Sequence, residues 1–332
     1  MIGNHLLSKE RYERLVHQFA ACRVLVVGDI MADEYLRGQV RRISPESPVM
    51  IVEVQKEEIK PGGAANVANN LHALGAKVYL AGFIGEDEIG KNLVDTIQEA
   101  GIYINAVLVD PSRPTTRKTR IIAQHQQVLR VDRERTHEAP LPLQEQLALQ
   151  VGESLHQVDA VVLSDYRKGA LSPHTISTIM ASAKRFSLPV IANPKPASAH
   201  WFSGATVLSL NQAETEELAG PIPLQDHELA TYGAQLRAQL QVDILVTTLG
   251  PRGLAYWCKS GEHCHVPAHA IEVYDVAGAG DTTISAFTLA LLCGATPLEA
   301  ACIANHAGAC AVRKVGVATV SPEELLDDWD QR

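Results

Sequence analysis

Five short apolar runs, each closing on a polar residue, constrain this chain more than any other feature. They are Arg23-Val-Leu-Val-Val-Gly-Asp29, Ala160-Val-Val-Leu-Ser-Asp165, Val190-Ile-Ala-Asn193, Thr206-Val-Leu-Ser-Leu-Asn211 and Asp243-Ile-Leu-Val-Thr-Thr248. Runs this short and this rich in Val, Ile and Leu read as strands buried on both faces. Lys77–Gly85 is a further one, and Asp87–Ala100 reads as the helix after it, stopped by Gly101. Strand–helix alternation of this kind predicts an α/β fold, a mostly parallel sheet covered by helices on both faces. Ligands of such sheets bind at the carboxyl ends of the strands, where the polar residues sit. Asp29 and Asp165 thus become candidates for holding a ligand's hydroxyls, with a plain turn role for Asp29 the alternative.

Two stretches depart from the alternation. Residues 33–60 are β-rich around Ser44-Pro45-Glu46-Ser47-Pro48, where two prolines bar a helix. Residues 103–135 are β-like again and carry Arg117, Lys118, Arg120 and Arg130. Both are expected to be antiparallel excursions forming a small lid within one domain spanning 1–332. Their cations either make a solvated strand face or turn toward an anionic substrate. At the start of the chain, Leu6, Leu7, Tyr12, Leu15, Val16 and Phe19 predict an amphipathic helix packed on the body. Its interspersed charges exclude a signal peptide.

The chemistry concentrates in Val273–Phe287, read as strand, tight turn, then helix. Gly278, Ala279 and Gly280 are small enough for an anion to reach the amides at the helix start, where the dipole favours negative charge. Asp281 sits in that turn, either as a proton acceptor beside a cradled phosphoryl group or as a helix cap. Gly62 and Gly63 precede another helix, with Asn66 in its first turn; ligand approach and simple loop are both open. Ala301, Ala304, Ala307, Gly308 and Ala311 form a small-residue stripe for close packing or a flat nucleobase.

Composition narrows the class. The net charge of −9 argues against a general nucleic-acid binder. No run of 18 apolar residues suggests a membrane span. The six cysteines show no disulfide framework, which fits a reducing cytoplasm. Cys258, His263, Cys264 and His265 read as a hairpin with incidental ligand types rather than a metal site. Gly278-Ala-Gly-Asp-Thr-Thr283 lacks the third glycine of a dinucleotide fingerprint.

Gly28-Asp29, Pro61-Gly-Gly-Ala-Ala-Asn-Val-Ala68, Asn211-Gln-Ala-Glu214 and Gly278-Ala-Gly-Asp-Thr282 occur in one order and spacing. In these the chain resembles the ribokinase-like (PfkB) family of carbohydrate kinases over nearly its full length. Arg42–Val49, His125–Arg130, Ser164–Leu171 and Lys314–Pro322 look most like the heptose-7-phosphate kinases of lipopolysaccharide-precursor synthesis. Relatives are often fused to a nucleotidyltransferase; this chain is expected to be a stand-alone kinase. It departs from the pattern at Arg167, at Asn193 and Pro196 (for Asp and Gly), and at Ala277 (for Thr).

The resemblance implies a ribokinase-like fold and ATP-dependent phosphorylation of the anomeric hydroxyl of D-glycero-D-manno-heptose 7-phosphate. Asp281 would be the base, beside the anion hole of Gly278, Ala279 and Gly280. Asp29, Gly62, Gly63, Asn66 and Asp165 would hold the sugar, and Lys195 its phosphate. Asn211, Thr248, Gly250, Gly253, Asn305 and Gly308 would border the nucleotide. Glu214 would organise Mg²⁺ through water, and Asp275 would help bind a monovalent cation such as K⁺. The lids would pair two copies into a homodimer. Another sugar, sugar phosphate or nucleoside as acceptor is the first rival reading. A non-catalytic sugar-phosphate sensor is the second.

Overall fold

Alternation along single strands separates two hydrophobic cores. In β1 (Arg23–Gly28), Val24 and Val26 face one core while Leu25 and Val27 face the other. The structure, a computed structural model, describes residues 7–124, 126–268 and 273–330. Leu6 and His125 lie outside the described residues. The elements before the middle of the chain are α1 (Lys9–Gln18), β1, β2 (Ile30–Ile43), β3 (Met50–Gly63), α2 (Ala64–Ala73), β4 (Lys77–Ile84), α3 (Glu88–Glu99), β5 (Tyr103–Val109), β6 (Thr116–Ala123) and β7 (Gln126–Arg133). Then follow α4 (Leu141–Ser154), β8 (Ala160–Ser164), α5 (Pro173–Arg185), β9 (Val190–Asn193), β10 (Val207–Asn211), α6 (Gln212–Ala219) and α7 (Asp226–Leu240). The last are β11 (Ile244–Thr248), β12 (Leu254–Cys258), β13 (His263–Val266), α8 (Ala279–Leu292), α9 (Pro297–Ala311) and α10 (Pro322–Asp330).

The large sheet has the order β13-β12-β11-β10-β9-β8-β1-β4-β5. It is parallel from β11 to β5, with β12 and β13 added antiparallel at one edge. The chain winds outward from β1 in both directions, through β4 on one side and β8 on the other. A crevice therefore opens between the carboxyl ends of β1 and β8. One core lies under α1, α2, α8 and α9, the other under α4, α5 and α7. Tyr12, Leu15, Val16 and Phe19 are buried, as the amphipathic pattern of the first helix requires. Asp87 caps α3 by accepting from the Gly90 amide at 2.8 Å.

The second sheet has the order β3-β2-β6-β7 and differs from expectation in two ways. It is mixed: β2 pairs antiparallel with β3 but parallel with β6. β5, read as part of the second excursion, instead pairs with β4 at the edge of the large sheet, so the excursion begins at Thr116. Its cations are matched within the sheet: Arg117 faces Glu34, Lys118 faces Asp132 and Glu134, and Arg120 is bonded to Asp33. The strand expected before the glycine turn is also absent over residues 273–278, which form a bend and a turn. The Tyr274 and Asp275 amides bond to the Val312 carbonyl, which fixes this segment to the end of α9 instead of to a sheet.

Candidate active site

Gly28 lets β1 and β8 meet closely: a Cβ there would lie 2.0 Å from the Ser164 carbonyl oxygen. Asp29 follows at once, and its carboxylate turns inward. It accepts the amides of Tyr166 (2.8 Å) and Lys168 (2.9 Å) on one oxygen and that of Ala170 (2.9 Å) on the other. Burial pushes its pKa up to about 6, aided by Asp165 and opposed by the three amides. In the structure Asp29 is thus the template of the 165–170 loop. Asp165 is held by local partners as well. It accepts the Arg167 amide (2.8 Å) and the Ser198 hydroxyl, and burial raises its pKa. That local turn accommodates Arg167 at φ +59°, a conformation a small residue would adopt more cheaply.

The loop delivers Tyr166 to the first turn of α8. Gly278 is the N-cap at φ +81°, left-handed, where glycine meets no Cβ penalty. Asp281 is 8% exposed and caps nothing; the capping alternative is excluded by its partners. One oxygen accepts Asn66 Nδ2 at 2.6 Å, the other the Tyr166 hydroxyl at 2.9 Å. Burial pushes the Asp281 pKa up to about 6, while the Asn66 and Tyr166 donors and Lys195 pull it down. Asn66, expected on the sugar, is occupied with this carboxylate. Its own oxygen accepts from Asn70, whose Oδ1 in turn accepts from Thr282 (2.6 Å), so α2 and α8 are cross-bonded behind the site.

A chamber of about 150 Å³ opens beside Asp281, lined by Tyr166, Asn193, Lys195, Glu214 and Gly280 among others. It adjoins a mainly apolar cleft of about 580 Å³, with which it shares Asn211, Thr248 and Gly280. All six residues assigned to the nucleotide, Asn211, Thr248, Gly250, Gly253, Asn305 and Gly308, line that cleft. The small-residue stripe divides: Ala301, Ala304 and Ala307 are core, whereas Gly308 lines the cleft. The Ala279 amide turns back to the Val276 carbonyl (3.3 Å), so the helix-start amides facing the junction come from Gly280 and Asp281.

Lys195 Nζ lies 2.6 Å from Glu214 Oε1 and 4.9 Å from the centre of the Tyr166 ring. The other Glu214 oxygen accepts the Asn211 amide (2.9 Å), completing a capping box on α6. Both Asp275 oxygens accept amides, from Ala277 and Gly316 at 2.9 Å, so it ties two loops together. What lies against Gly62 is the Asp33 carboxylate: a Cβ there would come within 2.5 Å of Oδ2. Gly63 packs as closely on the Asp29 carbonyl and Met31, so this pair serves chain packing. Sequence reasoning missed Asp33 and Tyr166, and named Arg120 only as one of four cations. The available signals were the period-two set Asp33, Tyr35, Arg37 on β2, and an aromatic hydroxyl directly after the carboxyl end of β8. Cys258 and His263 to His265 form the expected β12–β13 hairpin. Among the described residues, a different trio, His306, Cys310 and Asp328, brings ligand-type atoms together. It lies where α1, α9 and α10 meet, and its His–Asp pair is already closed by hydrogen bonds.

The pfkB family carbohydrate kinase model matches residues 22–324. The chain belongs to the pfkB family of carbohydrate kinases. It is a phosphotransferase with a sugar as acceptor. A bifunctional protein HldE of Geotalea uraniireducens is 39% identical over 321 residues, 96% of this chain and 65% of that one. The HldE of Helicobacter pylori is 41% identical over 304 residues, 91% of this chain and 65% of that one. The chain thus spans just under two thirds of the curated relatives it matches. Among solved structures, Arabidopsis thaliana ribokinase complexed with ribose and ATP superposes with TM-score 0.73 at 20% identity, covering 92% of this chain and 98% of that one. Escherichia coli phosphofructokinase-2 in complex with potassium gives 0.76 at 16% identity, covering 94% and 99%. The pfkB kinase has the ribokinase-like fold.

Proposed function

We propose that this pfkB kinase transfers the γ-phosphoryl group of ATP to the anomeric hydroxyl of D-glycero-D-manno-heptose 7-phosphate. The observation that carries the reaction is Asp281, buried and held by two donors, lining a chamber that adjoins a nucleotide-sized cleft next to the shared Gly280. Its ionised carboxylate accepts the proton of the sugar hydroxyl as the oxygen attacks phosphorus. The amides of Gly280 and Asp281 meet the charge on the transferring group at the positive end of α8. The adenine side of the nucleotide lies against Gly308 and Asn305, and Lys195 meets acceptor phosphate. The heptose assignment is supported by Arg42–Val49, Ser164–Leu171 and Lys314–Pro322 and by the HldE relatives.

Asn211, on both cavities, and Glu214, in the chamber, carry hard oxygens, a donor type that suits Mg²⁺ with its water shell once Lys195 releases Glu214. That ion supplies charge neutralisation for the polyphosphate. A K⁺ requirement would act through the loops that Asp275 ties together. The second sheet forms the lid over the site, and a second copy covers its outer face. Incubation with ATP, Mg²⁺ and heptose 7-phosphate, followed by ³¹P NMR, is the deciding experiment. A new anomeric phosphomonoester coupled to the sugar proton is expected. ADP formation with ribose or fructose 6-phosphate but none with the heptose would overturn the substrate assignment.

A further inference from the structure

We infer that Tyr166 is a positioning residue for phosphoryl transfer: its hydroxyl holds the Asp281 carboxylate in the rotamer, and in the ionised form, that the sugar hydroxyl requires. The inference rests on the reading of Asp281 as base. A carboxylate has about four lone-pair sites. Asn66 takes one on one oxygen and Tyr166 takes one on the other, which orients the group and leaves a site for the acceptor. The two donors come from different elements, Asn66 from α2 and Tyr166 from the loop after β8. That loop is itself fixed by Asp29, whose carboxylate binds the Tyr166 amide directly. The buried Asp29 thereby acquires a purpose: it places a phenol at the base without touching substrate.

The tyrosine is suited to donating and unsuited to losing its proton. Burial, and next the Asp281 charge, push its pKa far above the ordinary phenol value. The proton therefore stays on oxygen, shared toward the carboxylate. The charged groups facing this pair are Lys195, which favours ionised Asp281, Asp33, which disfavours it, and Glu214 beyond Tyr166. Lys195 sits over the face of the Tyr166 ring, 4.9 Å from its centre. Removing the hydroxyl leaves a buried carboxylate with one donor in place of two, and its proton affinity must rise.

The test uses the full chain carrying ¹³C-carboxyl aspartate, with Asp281 assigned from the Asp281→Asn spectrum. In Tyr166→Phe the Asp281 titration should move up by about one pH unit, the scale of one lost hydrogen bond to a charged group. The acid limb of kcat/KM should move with it, giving roughly fivefold loss at pH 6, about tenfold at lower pH, and recovery toward wild type at pH 9, with ATP affinity unchanged. A loss equal at every pH, or an unmoved Asp281 titration, would overturn the inference. Should Tyr166→Phe not fold, 3-fluorotyrosine at position 166 keeps the shape and donates more strongly. The titration should then move down, and no movement again refutes the role. The titration needs no turnover, so a wrong sugar assignment would show as absent kinase activity without altering this result.

Discussion

At the scale of single residues, the site is a case of burial raising a carboxylate's proton affinity and two neutral donors restraining it. As the proposed base Asp281 must be ionised to act, and burial pushes its pKa up to about 6. Activity should therefore fall as pH drops through 6, tenfold per unit below it, as initial rates with saturating ATP will show. Asp281→Asn keeps the volume and a partner for Tyr166 but cannot take a proton. We expect kcat to fall about 10²–10⁴-fold with nucleotide affinity and melting temperature near wild type. Turnover within threefold of wild type would remove Asp281 from the mechanism. Asp281 was a candidate from the sequence, as base or as helix cap, and the structure removes the cap. Its two donors were not legible there, since Asn66 and Tyr166 lie 215 and 115 residues away along the chain.

At the scale of elements, the start of α8 is built to leave space. A Cβ added at Gly280 meets nothing within 4 Å, yet Gly280 lines both the chamber and the cleft. Gly280→Ala should leave the melting temperature within about 2 °C of wild type, or raise it slightly through helix propensity of up to about 1 kcal/mol. The methyl would instead stand where the phosphoryl group passes, so kcat/KM for ATP should drop about tenfold or more; an unchanged value would place the phosphate elsewhere. On the far side, α1, α9 and α10 are joined through His306, which meets Tyr12 at 2.7 Å and Asp328 at 2.8 Å. Burial alone would raise the Asp328 pKa, but His306 and Arg313 hold it at about 2. A depressed carboxylate contributes stability above its unfolded pKa near 4, lost as pH falls toward 2. His306→Gln should therefore raise the acid-unfolding midpoint and lower the melting temperature by roughly 2–5 °C, by calorimetry. A wild-type acid transition would show that the pair contributes nothing.

For the whole molecule, the second sheet divides its two faces by period-two alternation. Asp33, Tyr35 and Arg120 share the face directed at the site. The pairing register places Leu36, Val54, Ile121, Leu129 and Val131 on the opposite face. Val54, Leu129 and Val131 are about half exposed there, an apolar surface unusual for an isolated sheet. If two copies cover each other through it, light scattering after size exclusion should give the mass of two chains. Leu129→Asp should then give the mass of one. A wild-type monomer at micromolar concentration would exclude this pairing. Among the described residues, no helix is long and apolar enough to cross a membrane.

Local chemistry alone determined the parallel sheet, the helix starts and the glycine turn with its carboxylate. Each of these depends on side-chain volume, periodicity or backbone freedom within a few neighbouring positions. Tertiary structure decided which carboxylates face outward. Asp29, Asp165 and Asp281 all follow or open an element at the same sheet edge. Only the folded chain shows that backbone amides hold Asp29, that Ser198 and the Arg167 amide hold Asp165, and that Asp281 lines the chamber. The reason is that hydrogen-bond partners are chosen by proximity in space, and a chain's order carries that proximity only between near neighbours.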